Sequence, residues 1–138
     1  MSHPTLLLAD DHEETGKLLR GLLQDEFDVV GLVQDGVALV NAAARLSPDV
    51  IVTDISMPGL DGIAATSEIL HRNPVARIVL VTVSQDPALV QRGLDAGALG
   101  YVLKGTAGEE LIPAVRSAVR GERHVSLNRP DAKAGLPS

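Results

Sequence analysis

The sequence predicts an α/β fold: a doubly wound parallel sheet of five strands with helices on both faces. Two observations carry this. Five short apolar runs recur along the chain, most of them continuous rather than alternating, as in strands buried on both faces. Between them lie segments with apolar residues at helical spacing. Strand and helix therefore alternate five times, which calls for βα units, parallel strands and right-handed crossovers.

The elements follow in order. Leu6-Leu7-Leu8-Ala9 is the first strand, and Leu18, Leu19, Leu22 and Leu23 stripe the first helix. Val29-Val30-Gly31-Leu32-Val33 is the second strand, followed by a helix marked by Val37, Val40 and Ala44. Val50-Ile51-Val52 is the third strand, and Ile63, Ser67 and Leu70 mark a weaker third helix. Ile78-Val79-Leu80-Val81 precedes a helix with Leu89, Val90 and Leu94. Tyr101-Val102-Leu103 precedes one with Leu111, Val115, Ala118 and Val119.

Punctuation agrees with this division. Asp86-Pro87 is a helix cap followed by proline in the first turn, and Gly97 and Gly121 fall where helices should stop. One signal conflicts. Thr106-Ala-Gly-Glu109 reads as a capping box, but it would place Pro113 inside the helix and orphan the Glu109 carbonyl. A start nearer Glu110 resolves the conflict and is expected. The pattern ends after Val125, so one domain is expected over 1–125, with 126–138 a flexible tail or truncated linker.

Composition excludes several functions. The 138 residues suit one domain with a real core, and 45% hydrophobic with 22% charged is a globular balance. There is no cysteine, hence no disulfide and no thiolate metal site. The net charge is −6 without a Lys/Arg cluster, and Phe27 and Tyr101 are the only aromatics, so direct nucleic-acid contact is not expected. No GxGxxG or GxxxxGK[ST] motif offers a nucleotide site. The apolar runs are far too short to span a membrane, and no basic-then-apolar leader opens the sequence. A cytoplasmic location without membrane contact is expected.

The polar residues fall at the strand ends. The first strand runs into Asp10 and Asp11, the third into Asp54, the fourth into Thr82 and the fifth into Lys104. In a parallel sheet these ends share one edge, where open α/β sheets bind ligands. Three close carboxylates repel and need a counter-charge. Oxygen donors with no cysteine and no obvious histidine set favour Mg²⁺. His12 is read as an exposed first-turn residue rather than a ligand, and His3, His71 and His124 have no ligand spacing. Lys104 supplies a mobile positive charge and Thr82 a hydroxyl, both suited to phosphoryl oxygens. Taken singly, an Asp-Asp pair is more often a solvated turn, and a strand-end Thr or surface Lys is ordinary. All four ends being of phosphate-site type is what points to a phosphoryl group held on or near a carboxylate.

At these residues the sequence resembles the receiver domain of bacterial two-component response regulators. The matching stretches are "LLLADDHEETGKLLRGLL", "IVTDISMPGLDG", "RIVLVTVS" and "GALGYVLKGTAGEELIPAVRSAVRGE", over roughly residues 5 to 126. The ending is most similar to the NarL/FixJ (LuxR-type) branch. The resemblance implies a flavodoxin-like sheet in the order 2-1-3-4-5. It implies Asp54 as phosphoacceptor from a sensor histidine kinase, and Asp10, Asp11, Asp54 and the Ser56 carbonyl as the Mg²⁺ shell. Lys104 and Thr82 would contact the phosphoryl oxygens, Thr82 and Tyr101 would form a switch pair, and Pro58, Asp61 and Gly62 would shape the loop after the acceptor. Ser56 and Ser84 would influence the lifetime of the phosphate. The resemblance further implies homodimerisation on phosphorylation and DNA reached through a C-terminal domain that this chain lacks. It implies no enzyme beyond its own phosphotransfer and dephosphorylation. Two other functions compete: a Mg²⁺-dependent phosphatase, which would want a carboxylate where Ser56 stands, and an interaction domain that is never phosphorylated.

Overall fold

A computed structural model of the chain describes residues 3–126. The expected tail therefore lies outside the described residues, apart from Ser126. The elements are β1 (Thr5–Ala9), α1 (Glu13–Leu23), β2 (Asp28–Val33), α2 (Gly36–Leu46), β3 (Val50–Asp54) and α3 (Gly62–Arg72). There follow β4 (Ile78–Thr82), α4 (Pro87–Asp95), β5 (Gly100–Leu103), a 3₁₀ turn (Lys104–Thr106), α5 (Ala107–Val119) and β6 (His124–Ser126). All strand pairs are parallel.

The sheet has six strands, in the order β2-β1-β3-β4-β5-β6, where five were expected. The order of the first five is as expected. β6 extends the edge beyond β5: after the turn at Gly121 (φ 75°), the His124 N–H donates to the Leu99 carbonyl at 2.8 Å. Val125 then packs on the core beside Tyr101. Three residues are too short to show a strand period, so the sequence pattern carries no trace of it.

Side chains of alternate strand residues feed two cores. Leu7, Ile51 and Leu80 join Leu39, Ile63, Ile69 and Val90 on the face covered by α2, α3 and α4. Leu6, Leu8, Val50, Val52 and Val81 join Leu19, Leu23, Leu111 and Val115 on the face covered by α1 and α5. Each such aliphatic side chain contributes about 1.5–3 kcal/mol by leaving water. The inner strands β3, β4 and β5 are buried throughout, whereas β2, at the edge, is not.

Three details of the helices differ from expectation. Of the stripe on α1, Leu19 and Leu23 are buried but Leu18 is 71% exposed. Helical spacing admits two adjacent rows, and only one meets the sheet. On α2, Val37 and Ala44 are exposed; on α3, Ser67 is exposed while Ala65, Thr66 and Ile69 fill the core. Third, α5 starts at Ala107 rather than near Glu110, with Pro113 inside it. The capping box does not form; the Thr106 hydroxyl donates instead to the Leu103 carbonyl at 3.4 Å. The 3₁₀ turn runs straight into the helix, Ala107 is buried, and Pro113 sits on the exposed side. There water can serve the carbonyl that the proline deprives of a partner. The stop at Gly97 (φ 108°) and the Asp86 cap, whose Oδ1 accepts from the Ala88 N–H at 3.0 Å, are as expected.

Candidate functional site

The parallel register brings the carboxyl ends of β1, β3, β4 and β5 to one edge. Ala9 pairs with Thr53, Asp54 with Val81, and Thr82 with Leu103. The residue that ends or follows each strand is polar and sits where the core meets solvent. Asp10 is 0%, Asp54 4% and Thr82 4% exposed, so these groups are as buried as the aliphatics behind them.

Asp10, Asp11, Asp54 and Lys104 come together. The Lys104 Nζ donates to Asp54 Oδ2 at 3.0 Å and lies 3.3 Å from Asp10 Oδ2. The latter is an ion-pair distance without hydrogen-bond geometry. Asp10 Oδ1 accepts from the His12 backbone N–H at 2.8 Å, and Asp54 Oδ1 accepts from the Ser56 N–H at 3.3 Å. The chain after Asp54 is shaped by the turn at Gly59 (φ 73°) and by Gly62, whose N–H donates to the Ile55 carbonyl at 2.7 Å. A Cβ on Gly62 would fall 2.1 Å from the Asp54 carbonyl oxygen, so only glycine allows the loop to fold back under the strand end. Asp61 caps α3, its Oδ1 accepting from the Ala64 N–H at 2.8 Å.

The charges do not balance. Burial pushes the Asp54 carboxyl above its usual range; Lys104 draws it back, Asp10 raises it further, and the net shift is upward. Burial disfavours the Lys104 ammonium, but Asp54 and Asp10 outweigh it and hold the amine above its ordinary value. Two buried oxygens, Asp10 Oδ2 and Asp11 Oδ1, have no hydrogen-bond partner among the described residues. Donor atoms of Asp10, Asp11, His12 and Asp54 all lie within 4.8 Å of one another. Asp10 Oδ2 has only its ion pair with Lys104 and Asp11 Oδ1 no hydrogen bond; a divalent cation would satisfy both, and the donor set fits one.

Thr82 ends the neighbouring strand, its Oγ1 accepting from the Ser84 N–H at 3.2 Å. Tyr101 lies outside the pocket. It is fully buried against the core, covered at the β5 edge by β6, and its hydroxyl donates to the Ser84 carbonyl at 3.1 Å. Burial raises its phenol, and nearby Asp86 adds to this. His12 is exposed at the start of α1, as expected, with Nδ1 3.0 Å from Asp11 Oδ1. Sequence reasoning missed one feature here. Ser84 ties Thr82 to Tyr101 through one residue, a link with no sequence signature. A cavity of about 320 Å³ near Ile51, Ile69 and Arg72 lies at the opposite end of β3 and is no part of this site.

The profile of the response regulator receiver domain family matches residues 6–116. The chain is 35% identical over 123 residues to the response regulator GacA of Pseudomonas aeruginosa, covering 88% of this chain and 58% of that protein. It is 40% identical over 119 residues to the transcriptional regulatory protein LiaR of Bacillus subtilis, covering 85% of this chain and 56% of that one. It thus spans a little over half the length of these relatives. Among solved structures, a LuxR-family two-component response regulator from Aurantimonas sp. SI85-9A1 superposes with a TM-score of 0.88 at 30% identity, covering 99% of this chain and 96% of that one.

Proposed function

We infer the function from one premise: the chain belongs to the response regulator receiver domain family, which serves phosphorylation-based two-component signalling. Within that family we propose residues 1–125 as the receiver and Asp54 as the phosphoacceptor, supplied by a phosphohistidine on a sensor histidine kinase. The observation that carries this is the buried Asp54 carboxylate with Lys104 Nζ at 3.0 Å and two further aspartates converging beside it.

The step is a displacement at phosphorus. An Asp54 carboxylate oxygen forms the new P–O bond as the P–N bond to the kinase imidazole breaks, and the electron pair leaves with that nitrogen. Lys104 is placed to neutralise a phosphoryl oxygen, since it already spans Asp54 and Asp10. Mg²⁺ held by Asp10, Asp11, Asp54 and the Ser56 carbonyl would offset negative charge developing on the transferring group. The Thr82 hydroxyl, which accepts from Ser84, keeps its own proton to donate to the phosphoryl group. Drawing Thr82 inward pulls on Ser84, whose carbonyl holds Tyr101. That gives the proposed switch pair a physical connection. Ser56, whose N–H donates to Asp54, and Ser84, whose N–H donates to Thr82, are proposed to set how readily water reaches the acyl phosphate.

The larger protein would act with this domain as input: phosphorylation promotes homodimerisation, and DNA is contacted by a further domain, not by this acidic one. Among the described residues no helix is long and apolar enough to cross a membrane. A cytoplasmic location is proposed with the kinase's phosphohistidine in mind. Incubation with a small-molecule phosphodonor and Mg²⁺ tests the core of this. One equivalent of hydroxylamine-labile label is expected on the wild type and none on Asp54→Asn. Undiminished labelling of the variant removes Asp54 from the role, and steady release of phosphate from an ester substrate would favour a phosphatase instead.

A further inference from the structure

We propose that β6 is a clasp whose closure over the edge of β5 is linked to the state of Asp54. This rests on the reading of Asp54 as the phosphoacceptor. Tyr101 sits one strand in from the sheet edge and is fully buried. Its register partner on β6 is Val125, and paired residues of neighbouring strands face the same side of the sheet, so Val125 lies alongside the ring. It packs on the same core. On the helix side the ring meets α4 at Gly93, where a Cβ would come 3.6 Å from Tyr101 Cδ2. At its far end the hydroxyl donates to the Ser84 carbonyl at 3.1 Å, and the Ser84 N–H donates to Thr82 Oγ1 at 3.2 Å. Thr82, Ser84, Tyr101 and Val125 thus run without a gap from the pocket to β6.

β6 is held lightly enough to open. It is three residues long, and its His124 N–H donates to the Leu99 carbonyl at 2.8 Å. Its side-chain anchor is His124 Nε2 against Glu110 Oε1 of α5 at 3.1 Å, with the two side chains 26% and 39% exposed, so water weakens the pair. Val125 is only half-buried. Segments with few buried apolar contacts open at low free energy. Closure needs the Tyr101 ring held inward, because a ring turned toward the edge takes the place of Val125. A phosphoryl group on Asp54 that engages the Thr82 hydroxyl fixes Ser84, and through its carbonyl fixes Tyr101 in that inward position. Phosphorylation therefore closes the clasp, and by reciprocity the closed clasp favours the phosphorylated state. The direction of β6 gives this a consequence. Parallel to β5, with Ser126 opposite Val102, it delivers the following chain to the edge that holds Asp54 and Lys104. Opened, it frees three strand residues, roughly 10 Å of chain, back toward the turn at Gly121.

Amide hydrogen exchange followed by NMR on the full chain tests this, in Mg²⁺ with and without beryllofluoride as the phosphoryl analogue. The His124 N–H reads the clasp directly. Its exchange is expected to slow about 10-fold or more when beryllofluoride binds the wild type. In Tyr101→Phe, which keeps the ring but loses the bond to Ser84, the change is expected to stay within about 2-fold. The double variant His124→Ala/Val125→Gly is expected to bind beryllofluoride about 5-fold or more weakly. Unchanged or faster exchange at His124 in a wild type that binds beryllofluoride overturns the inference alone, whether or not the variants fold. Full slowing in Tyr101→Phe, or undiminished affinity in the double variant, does the same. Failure of the wild type to bind beryllofluoride, or equal binding by Asp54→Asn, overturns the phosphoacceptor reading beneath it and the inference with it.

Discussion

Asp54→Asn should stabilise the metal-free protein. At an effective dielectric of about 20, the 3.0 Å pair with Lys104 attracts by about 5.5 kcal/mol. Asp10, with a donor atom within 4.8 Å, repels by at least about 3.5 kcal/mol. The residual attraction, about 2 kcal/mol, is smaller than the several kcal/mol that burying a carboxylate costs. At 4% exposure Asp54 carries nearly all of that cost, in keeping with the upward displacement of its pKa. Asparagine keeps the shape and an oxygen for Lys104, which retains Asp10 as its counter-charge. A gain of about 1–2 kcal/mol is expected at neutral pH in chelator, or roughly 3–8 °C in Tm. The folded carboxyl holds its proton more tightly than the unfolded one. The contribution of Asp54 is therefore fully present below its usual value near 3.8 and is lost as pH rises through the higher folded value. The gap between variant and wild type should open as pH climbs from that region toward 7. Saturating Mg²⁺ should close it by stabilising the wild type, by about 2.7 kcal/mol at 100 times the dissociation constant. Urea unfolding in chelator that shows the variant equal to or weaker than wild type would refute the electrostatic argument.

Three other outcomes are expected. Gly62→Ala should lose about 3 kcal/mol or more in urea unfolding, because its Cβ meets the backbone oxygen of Asp54 at 2.1 Å; a loss under about 1 kcal/mol would mean the loop slides freely. Pro113→Ala should gain about 1–3 kcal/mol by restoring a hydrogen bond within α5, and no gain would show that the carbonyl of Glu109 is already well served. Tyr101 is the only tyrosine, so its ionisation can be followed by ultraviolet absorbance alone. Burial raises its pKa above 10.0, so the folded protein should titrate at higher pH than the urea-unfolded chain, and stability should fall as pH rises through the folded value; coincident titrations would contradict its burial.

The pocket was legible because it sits at a contrast the sequence displays directly. Continuous aliphatic runs mark strands buried on both faces, and a charge set against their ends has nowhere to go but the sheet edge. The parallel register then does the rest, which is why Lys104 comes within 3.3 Å of both Asp10 and Asp54, far from it in sequence. What was illegible depends on neighbours or on few residues. The strand at His124–Ser126 exists because β5 offers an open edge, not because three residues prefer it. Leu18 and Leu22 look like core until the sheet shows which row of α1 it meets. The start of α5 turned on whether a proline's lost bond would face water, which only the packing of Leu111, Ala114 and Val115 decides.

The proposed switch has an energetic bound that the geometry supplies. Around it the sheet is closed: Leu80, Val81 and Tyr101 are fully buried and tightly packed. The segment joining Thr82 to Asp86 is different, with Val83 80% exposed and Ser84 held by its N–H to Thr82 and by its carbonyl to Tyr101. This loop, the most exposed part of the route from Thr82 to Tyr101, is where the proposed switch would take its two arrangements. Two neutral hydrogen bonds are worth about 1 kcal/mol each net, so rearranging them moves a population by roughly 30-fold. Reversing a 1:99 equilibrium needs about 5.5 kcal/mol. The larger share must therefore come from the charged side of the pocket, where a phosphoryl group would meet Lys104 and the cation. Tyr101 can report the change but cannot drive it. The unmet oxygens of Asp10 and Asp11 are acceptors, which an added anion cannot satisfy, so a switch built this way needs a cation beside them as well as Lys104.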